Sequence, residues 1–202
     1  MKFSFFSILV FIAMLFAGAA ETIAQPVCPP GSTTTTQAFS APLPDGGCCT
    51  ITVTYCYLYS GTTLTLVIGT ITVPADCPLI VNPGLFNWLS KKIVFRLSLA
   101  GGIPEIFNCP TTTQLTVETG QSSCYMKQYA LVGGTGFNIY NPCGTSICLR
   151  RCAVCLSTSQ TDPCSTPANE PMLQYVGCVY TTVPCVPDAS KPDCVINTCD
   201  SN

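Results

Sequence analysis

Cys48-Cys-Thr-Ile-Thr-Val-Thr-Tyr-Cys-Tyr-Leu-Tyr59 alternates with a period of two. In an extended chain Cys49, Ile51, Val53, Tyr55, Tyr57 and Tyr59 fall on one face, and Cys48, Thr50, Thr52, Thr54, Cys56 and Leu58 on the other. Ser60-Gly61-Thr62 is turn material, and the β-branched run Leu64–Val73 stops at Pro74. The pattern predicts a β-hairpin with one apolar face and one threonine-rich face, and the apolar face needs a cover.

A helix supplies that cover. Asn82-Pro83 has the chemistry of an N-cap followed by a first helical residue. Leu85, Phe86, Leu89, Ile93 and Leu97 then recur at helical spacing, and Gly101-Gly102 ends the run. Lys91, Lys92 and Arg96 lie in its second half, towards the negative end of the helix dipole. Gln114–Thr119, Cys124–Val132 and Met172–Val183 predict further strands. Gly133-Gly-Thr-Gly136 reads as a turn, since it lacks the third glycine of a dinucleotide loop and the lysine of a P-loop. Residues 25–47, rich in Pro, Gly, Ser and Thr, predict an extended arm or long loop anchored at Cys28. The fold class expected is β-rich α+β: an antiparallel sheet with one packed helix and a loop-rich C-terminal module, stapled by disulfides. The organisation expected is a signal peptide at 1–24, a sheet-and-helix unit at 25–140 and a cysteine-rich module at 141–202 attached to it.

The first residues carry the export reading. Lys2 is the only charge before Glu21, Phe3–Phe16 is apolar apart from Ser4 and Ser7, and Ala17-Gly-Ala-Ala20 supplies small residues. That is the layout of a secretory signal, with cleavage expected after Ala24, or after Ala19 as second choice. The expected location is secreted or on the cell surface, with the periplasm second, and no stable membrane span once the signal is removed.

Export decides the fate of the 16 cysteines in this chain of 202 residues. In an oxidising compartment Cys28, Cys48, Cys49, Cys56, Cys77, Cys109, Cys124, Cys143, Cys148, Cys152, Cys155, Cys164, Cys178, Cys185, Cys194 and Cys199 are expected to be disulfide-bonded, with a pairing the sequence leaves open. Adjacent Cys48 and Cys49 point to opposite faces of a strand, so two different partners are expected. Seven cysteines lie in 25–140 and nine in 141–202. Both counts are odd, so an odd number of intramolecular bridges must join the two segments.

Composition excludes several chemistries. The chain has no histidine, which removes Ser-His-Asp and Cys-His catalysis and histidine-ligated metals. Its formal net charge of −2 argues against a phosphate-neutralising nucleic-acid binder. Cys148-x3-Cys152-x2-Cys155 has the spacing of the cluster motif of radical iron–sulfur enzymes, and Cys152-x2-Cys155 that of a thioredoxin-type pair beside Arg150-Arg151. Structural cystine is the expected reading of both. The threonines at 50, 52, 54, 63, 65, 70 and 72 resemble the ladders of some ice-binding proteins, yet lack their solenoid repeat; they read as a wet strand face. Asp45, Asp76, Glu105, Glu118, Asp162, Glu170, Asp188, Asp193 and Asp200 are the carboxylates after the signal, and no spacing pairs any two for acid–base work.

Cys28-Pro-Pro-Gly31, Cys48-Cys49-x-Ile-Thr-Val-x-Tyr-Cys56, the helix after it, Cys109-Pro110 and Cys124-Tyr125 resemble cysteine-rich exported proteins of Bacteroidota-type bacteria. The resemblance covers the first two thirds of the mature chain and implies no activity. The function expected is that of a non-catalytic structural, matrix or adhesive protein, whose partners are itself or other cell-surface components. A cystine-rich module for a soluble or glycan ligand is the alternative, with a carboxylate hydrolase or a CxxC redox protein behind it. No catalytic residue, cofactor or metal ligand is assigned.

Overall fold

The structure is a computed structural model that describes residues 28–110, 115–143, 147–165 and 170–181, together with 185, 193, 194, 196, 197 and 199. The expected signal peptide, Asp188, Asp200 and the expected strand end at 182–183 lie outside the described residues.

β1 (Thr33–Pro42), β2 (Cys48–Ser60) and β3 (Thr63–Pro74) form an antiparallel meander. The period of two in β2 becomes burial: Cys49, Ile51, Val53 and Tyr55 are buried, whereas Thr50 and Thr52 are exposed. The segment expected as an arm or loop contains β1, paired with β2 from Thr33↔Tyr57 to Pro42↔Cys48. Its propensity is low, but the open edge of β2 offers a full ladder of backbone partners, and Phe39 and Ala41 reach the core.

The sheet divides at β3. One edge of β3 carries β2, and the other carries two partners in succession. β4 (Thr116–Ser122) runs parallel along Thr63–Ile68, and β6 (Thr135–Pro142) runs antiparallel along Ile71–Pro74. Beyond β4 lie β7 (Ile147–Asp162) and β8 (Glu170–Thr181); beyond β6 lie β5 (Cys124–Val132) and the two-residue β9 (Ile196–Asn197). Gly69 stands at the division, where a Cβ would meet the Thr54 carbonyl oxygen at 2.9 Å, so only glycine lets β2 approach so closely. Tyr125, fully buried, donates its hydroxyl to the Ile68 carbonyl at 3.0 Å and closes the gap between the two branches.

The fold is β-rich with a single helix among the described residues, as expected, and two details go further. The sheet is mixed because helix α1 (Pro83–Leu99) acts as the crossover between β3 and β4, and a helical crossover is what allows neighbouring strands to run parallel. The segment 141–202, expected to be loop-rich, contributes the long β7–β8 hairpin, drawn into strand form by the outer edge of β4. β6 itself runs across position 141. The turn expected at 133–136 joins β5 to β6, with positive φ at both Gly133 and Gly134, as a tight hairpin demands.

The ends of α1 match their sequence signals. Asn82 Oδ1 accepts from the Leu85 N–H at 3.0 Å, and beyond the last turn the Gly102 N–H reaches the Leu97 carbonyl at 2.9 Å. Leu85, Phe86, Leu89, Ile93 and Leu97 are buried against the sheet, and Phe86 packs on Tyr125 with ring centroids 5.0 Å apart.

Candidate functional site

All sixteen cysteines are paired. The bridges are Cys28–Cys56, Cys48–Cys164, Cys49–Cys77, Cys109–Cys155, Cys124–Cys185, Cys143–Cys194, Cys148–Cys199 and Cys152–Cys178. Three of them, at Cys48, Cys109 and Cys124, join 25–140 to 141–202, an odd number as parity requires. Cys48 and Cys49 leave β2 on opposite faces for different partners. Cys148, Cys152 and Cys155 go three separate ways, so neither the cluster-like spacing nor the CxxC pair survives as a unit. Arg150, adjacent to that motif in sequence, turns instead to α1. It donates to Asn87 Oδ1 at 2.7 Å and to Ser90 Oγ, and its guanidinium lies 4.6 Å from the Tyr175 ring centroid.

Polar chemistry concentrates where α1 meets the β7–β8 hairpin. Tyr175 donates its hydroxyl to Ser90 Oγ at 3.2 Å. Burial pushes its phenol above the ordinary value, partly offset by the Arg150 charge. Lys91 reaches over the same ring, and burial followed by repulsion from Arg150 holds its ammonium below the ordinary value.

The next residue, Lys92, is buried, although its sequence position suggested a cation opposing the helix dipole. Its Nζ lies 2.8 Å from Asp162 Oδ2 and 2.7 Å from Glu170 Oε2, and both carboxylates are buried. Asp162 and Glu170 are cross-strand neighbours on β7 and β8. Two like charges directly opposite each other repel, so the pair requires the cation that the helix inserts between them. Arg96, a further turn on and half-exposed, stands 3.5 Å from Glu170 Oε2. Asp162 Oδ1 accepts the Cys164 N–H at 3.0 Å, and the Cys48–Cys164 bridge anchors that turn. The result is a four-membered cluster of two cations and two anions between helix and sheet, with Lys92, Asp162 and Glu170 buried and Arg96 at its solvent side.

Sequence reasoning left these carboxylates unpaired because β7 was not foreseen. One signal was present: Lys92 stands three residues after Leu89 and one before Ile93, on the buried stripe of the helix. A lysine there needs a buried counter-charge. Among the other described carboxylates, Asp45, Asp76, Glu105 and Asp193 are exposed and Glu118 is half-buried.

A groove of about 360 Å³ borders the other end of α1, lined by Pro42, Leu43, Leu79, Ile80, Leu85 and Trp88 among others. The buried Trp88 indole N–H has no acceptor among the described residues. The threonine ladder is a surface of β1–β3, where Thr36 and Thr54 share a hydroxyl hydrogen bond of 2.9 Å.

No protein-family model, curated protein or solved structure matches this chain. Eight disulfides make it a stable cystine-rich protein suited to an extracellular or otherwise oxidising compartment. Among the described residues, no helix is long and apolar enough to cross a membrane.

Proposed function

We propose that the chain is an exported, non-catalytic structural component of a cell-surface layer, matrix or adhesive assembly. The observation that carries this reading is the distribution of cystine: bridges tie the segment before β1 to β2, β2 to the β7–β8 turn, the segment after α1 to β7, and β7 to β8. Such a skeleton resists extension and proteolysis along its whole length, which suits a tension-bearing or exposed component. β8 adds a means of association. It pairs only with β7 among the described strands, and Val176, Val179 and Tyr180 are exposed on it. An exposed apolar edge strand is a template for pairing with another chain.

Light scattering after size exclusion, with electron microscopy of the native protein, tests this. Ordered multimers are expected, and Val179→Lys should abolish them while leaving thermal unfolding unchanged. A monomer that retains a small ligand would instead favour the second reading, a ligand-binding module. The groove supports that alternative, since its mainly apolar lining suits an apolar molecule.

A further inference from the structure

We propose that Lys92 and Asp162 condense into an intramolecular isopeptide bond, with Glu170 carrying the proton. The three groups a condensation needs are in contact. Lys92 Nζ is the nucleophile, Asp162 Cγ the electrophile, and Glu170 Oε2 touches the nitrogen at 2.7 Å. A fourth element completes the geometry: the Cys164 N–H, donating to Asp162 Oδ1 at 3.0 Å, stabilises the charge that develops on that oxygen when Cγ becomes tetrahedral.

The step balances. Glu170 takes a proton from the Lys92 ammonium, and the freed amine adds to Asp162 Cγ. Glu170 then returns the proton to Oδ2, which already faces Nζ, and after a second proton moves from the nitrogen to the same oxygen, Oδ2 leaves as water. The ammonium and the carboxylate become one neutral amide and one water, nothing is oxidised or reduced, and Glu170 ends in its starting state.

Burial drives the reaction. In water, amide formation from these groups is opposed by their hydration and by hydrolysis. Here Lys92, Asp162 and Glu170 are all buried, and holding two reacting groups in contact is worth effective molarities of about 10⁵ M or more. Burying charges is unfavourable, so replacing an ion pair by an amide relieves part of that cost. The remaining charges match: Arg96 and Glu170 stay behind as a one-to-one pair. The bond would join α1 to the end of β7 beside the Cys48–Cys164 bridge, adding a link that reductant cannot open. It stands whether or not the chain assembles.

Peptide mapping of the oxidised, full mature protein after reduction, alkylation and trypsin digestion decides it. The expected product is a branched species joining Lys92–Arg96 to the segment that begins at Cys152, lighter than the two peptides by one water. Cleavage after Lys92 together with a linear Asp162 peptide in the wild-type protein would overturn the proposal. Lys92→Arg must give linear peptides only; a branched species from it would place the bond elsewhere and overturn the assignment. Glu170→Gln, near-isosteric, should slow linkage by about 10²-fold or more, with its eight disulfides read from an unreduced digest to show native folding. Linkage at the wild-type rate in that variant would remove Glu170 from the mechanism.

Discussion

Beneath α1, Ile51, Leu66, Ile68, Phe86, Leu89 and Ile93 belong to one continuous apolar cluster that runs across β1–β4 and reaches Val154 and Leu173. On the outer branch of the sheet, a second buried cluster consists of Cys124, Met126, Cys143 and Cys194, with Cys185 beside it. The first is made of hydrocarbon and the second largely of cystine. Burial stabilises in proportion to apolar area, about 25 cal/mol per Å², so a patch this small contributes little by packing. A disulfide stabilises chiefly by restricting the unfolded chain, independently of how much surface the folded site buries. Crosslinks reach both clusters, since Cys49–Cys77 sits at the first, but in the second they stand where hydrocarbon is scarce.

The sharpest way to break this contrast is to remove one bridge from the second cluster. Replacing Cys143 and Cys194 by alanine opens a loop of 51 residues, a loss of about 4 kcal/mol on the chain-entropy account. The damage should be local. Limited proteolysis is expected to cut near position 194, while hydrogen exchange of β2, β3 and α1 stays slow. Equal acceleration throughout would mean that the two clusters unfold as one.

Leu89→Ala in the first cluster should cost about 3 kcal/mol, and urea unfolding should show the loss in every probe together. Met126→Ala in the second cluster should cost less, about 2 kcal/mol, because few hydrocarbon neighbours surround it. A larger loss at Met126 than at Leu89 would reverse the comparison.

Tyr125 lies in the first cluster yet closes the gap towards the second branch. Tyr125→Phe keeps the ring against Phe86 but removes the donor to the Ile68 carbonyl. A loss of about 1.5 kcal/mol is expected, with faster exchange concentrated in β5 and β6. Uniform loss across the sheet would show that the hydroxyl supports the core as a whole.

Alkali should weaken the tyrosine-bearing hydrocarbon core before it affects the cystine patch. Burial, then the neighbouring Tyr57, pushes the Tyr55 phenol up to about 12 from 10.0. Burial also raises Tyr125 and Tyr140. Because the folded state holds these protons more tightly, their stabilisation is complete below pH 10 and is lost as pH rises from 10 towards 12. Lys91, lowered in the fold, acts in the opposite sense, but it is one group against several. Urea midpoints across this range should fall, and Tyr55→Phe should flatten the slope.

Much of the molecule was legible from local pattern. The alternation of 48–59 and the helical spacing of 85–97 were readable because each element buries one face, and burial imprints its period on neighbouring residues. The odd cysteine counts required linkage between the two segments before any partner was known, since parity does not depend on geometry.

Strands β1, β6 and β7 were not legible. β1 is poor in apolar residues, and β7 mixes cysteine, arginine and serine; each is a strand because an existing edge, of β2 and of β4, offers it backbone partners. Cystine pairing was equally closed to sequence, because sixteen thiols become specific only when the folded backbone brings chosen Cα atoms to within 4.3 to 6.2 Å. The charged cluster combines both cases. The position of Lys92 on the buried stripe of α1 was set by spacing alone. Its counter-charges come from a cross-strand pair at the end of β7 and the start of β8, and only tertiary packing of that hairpin under the helix brings Asp162 and Glu170 to the same nitrogen.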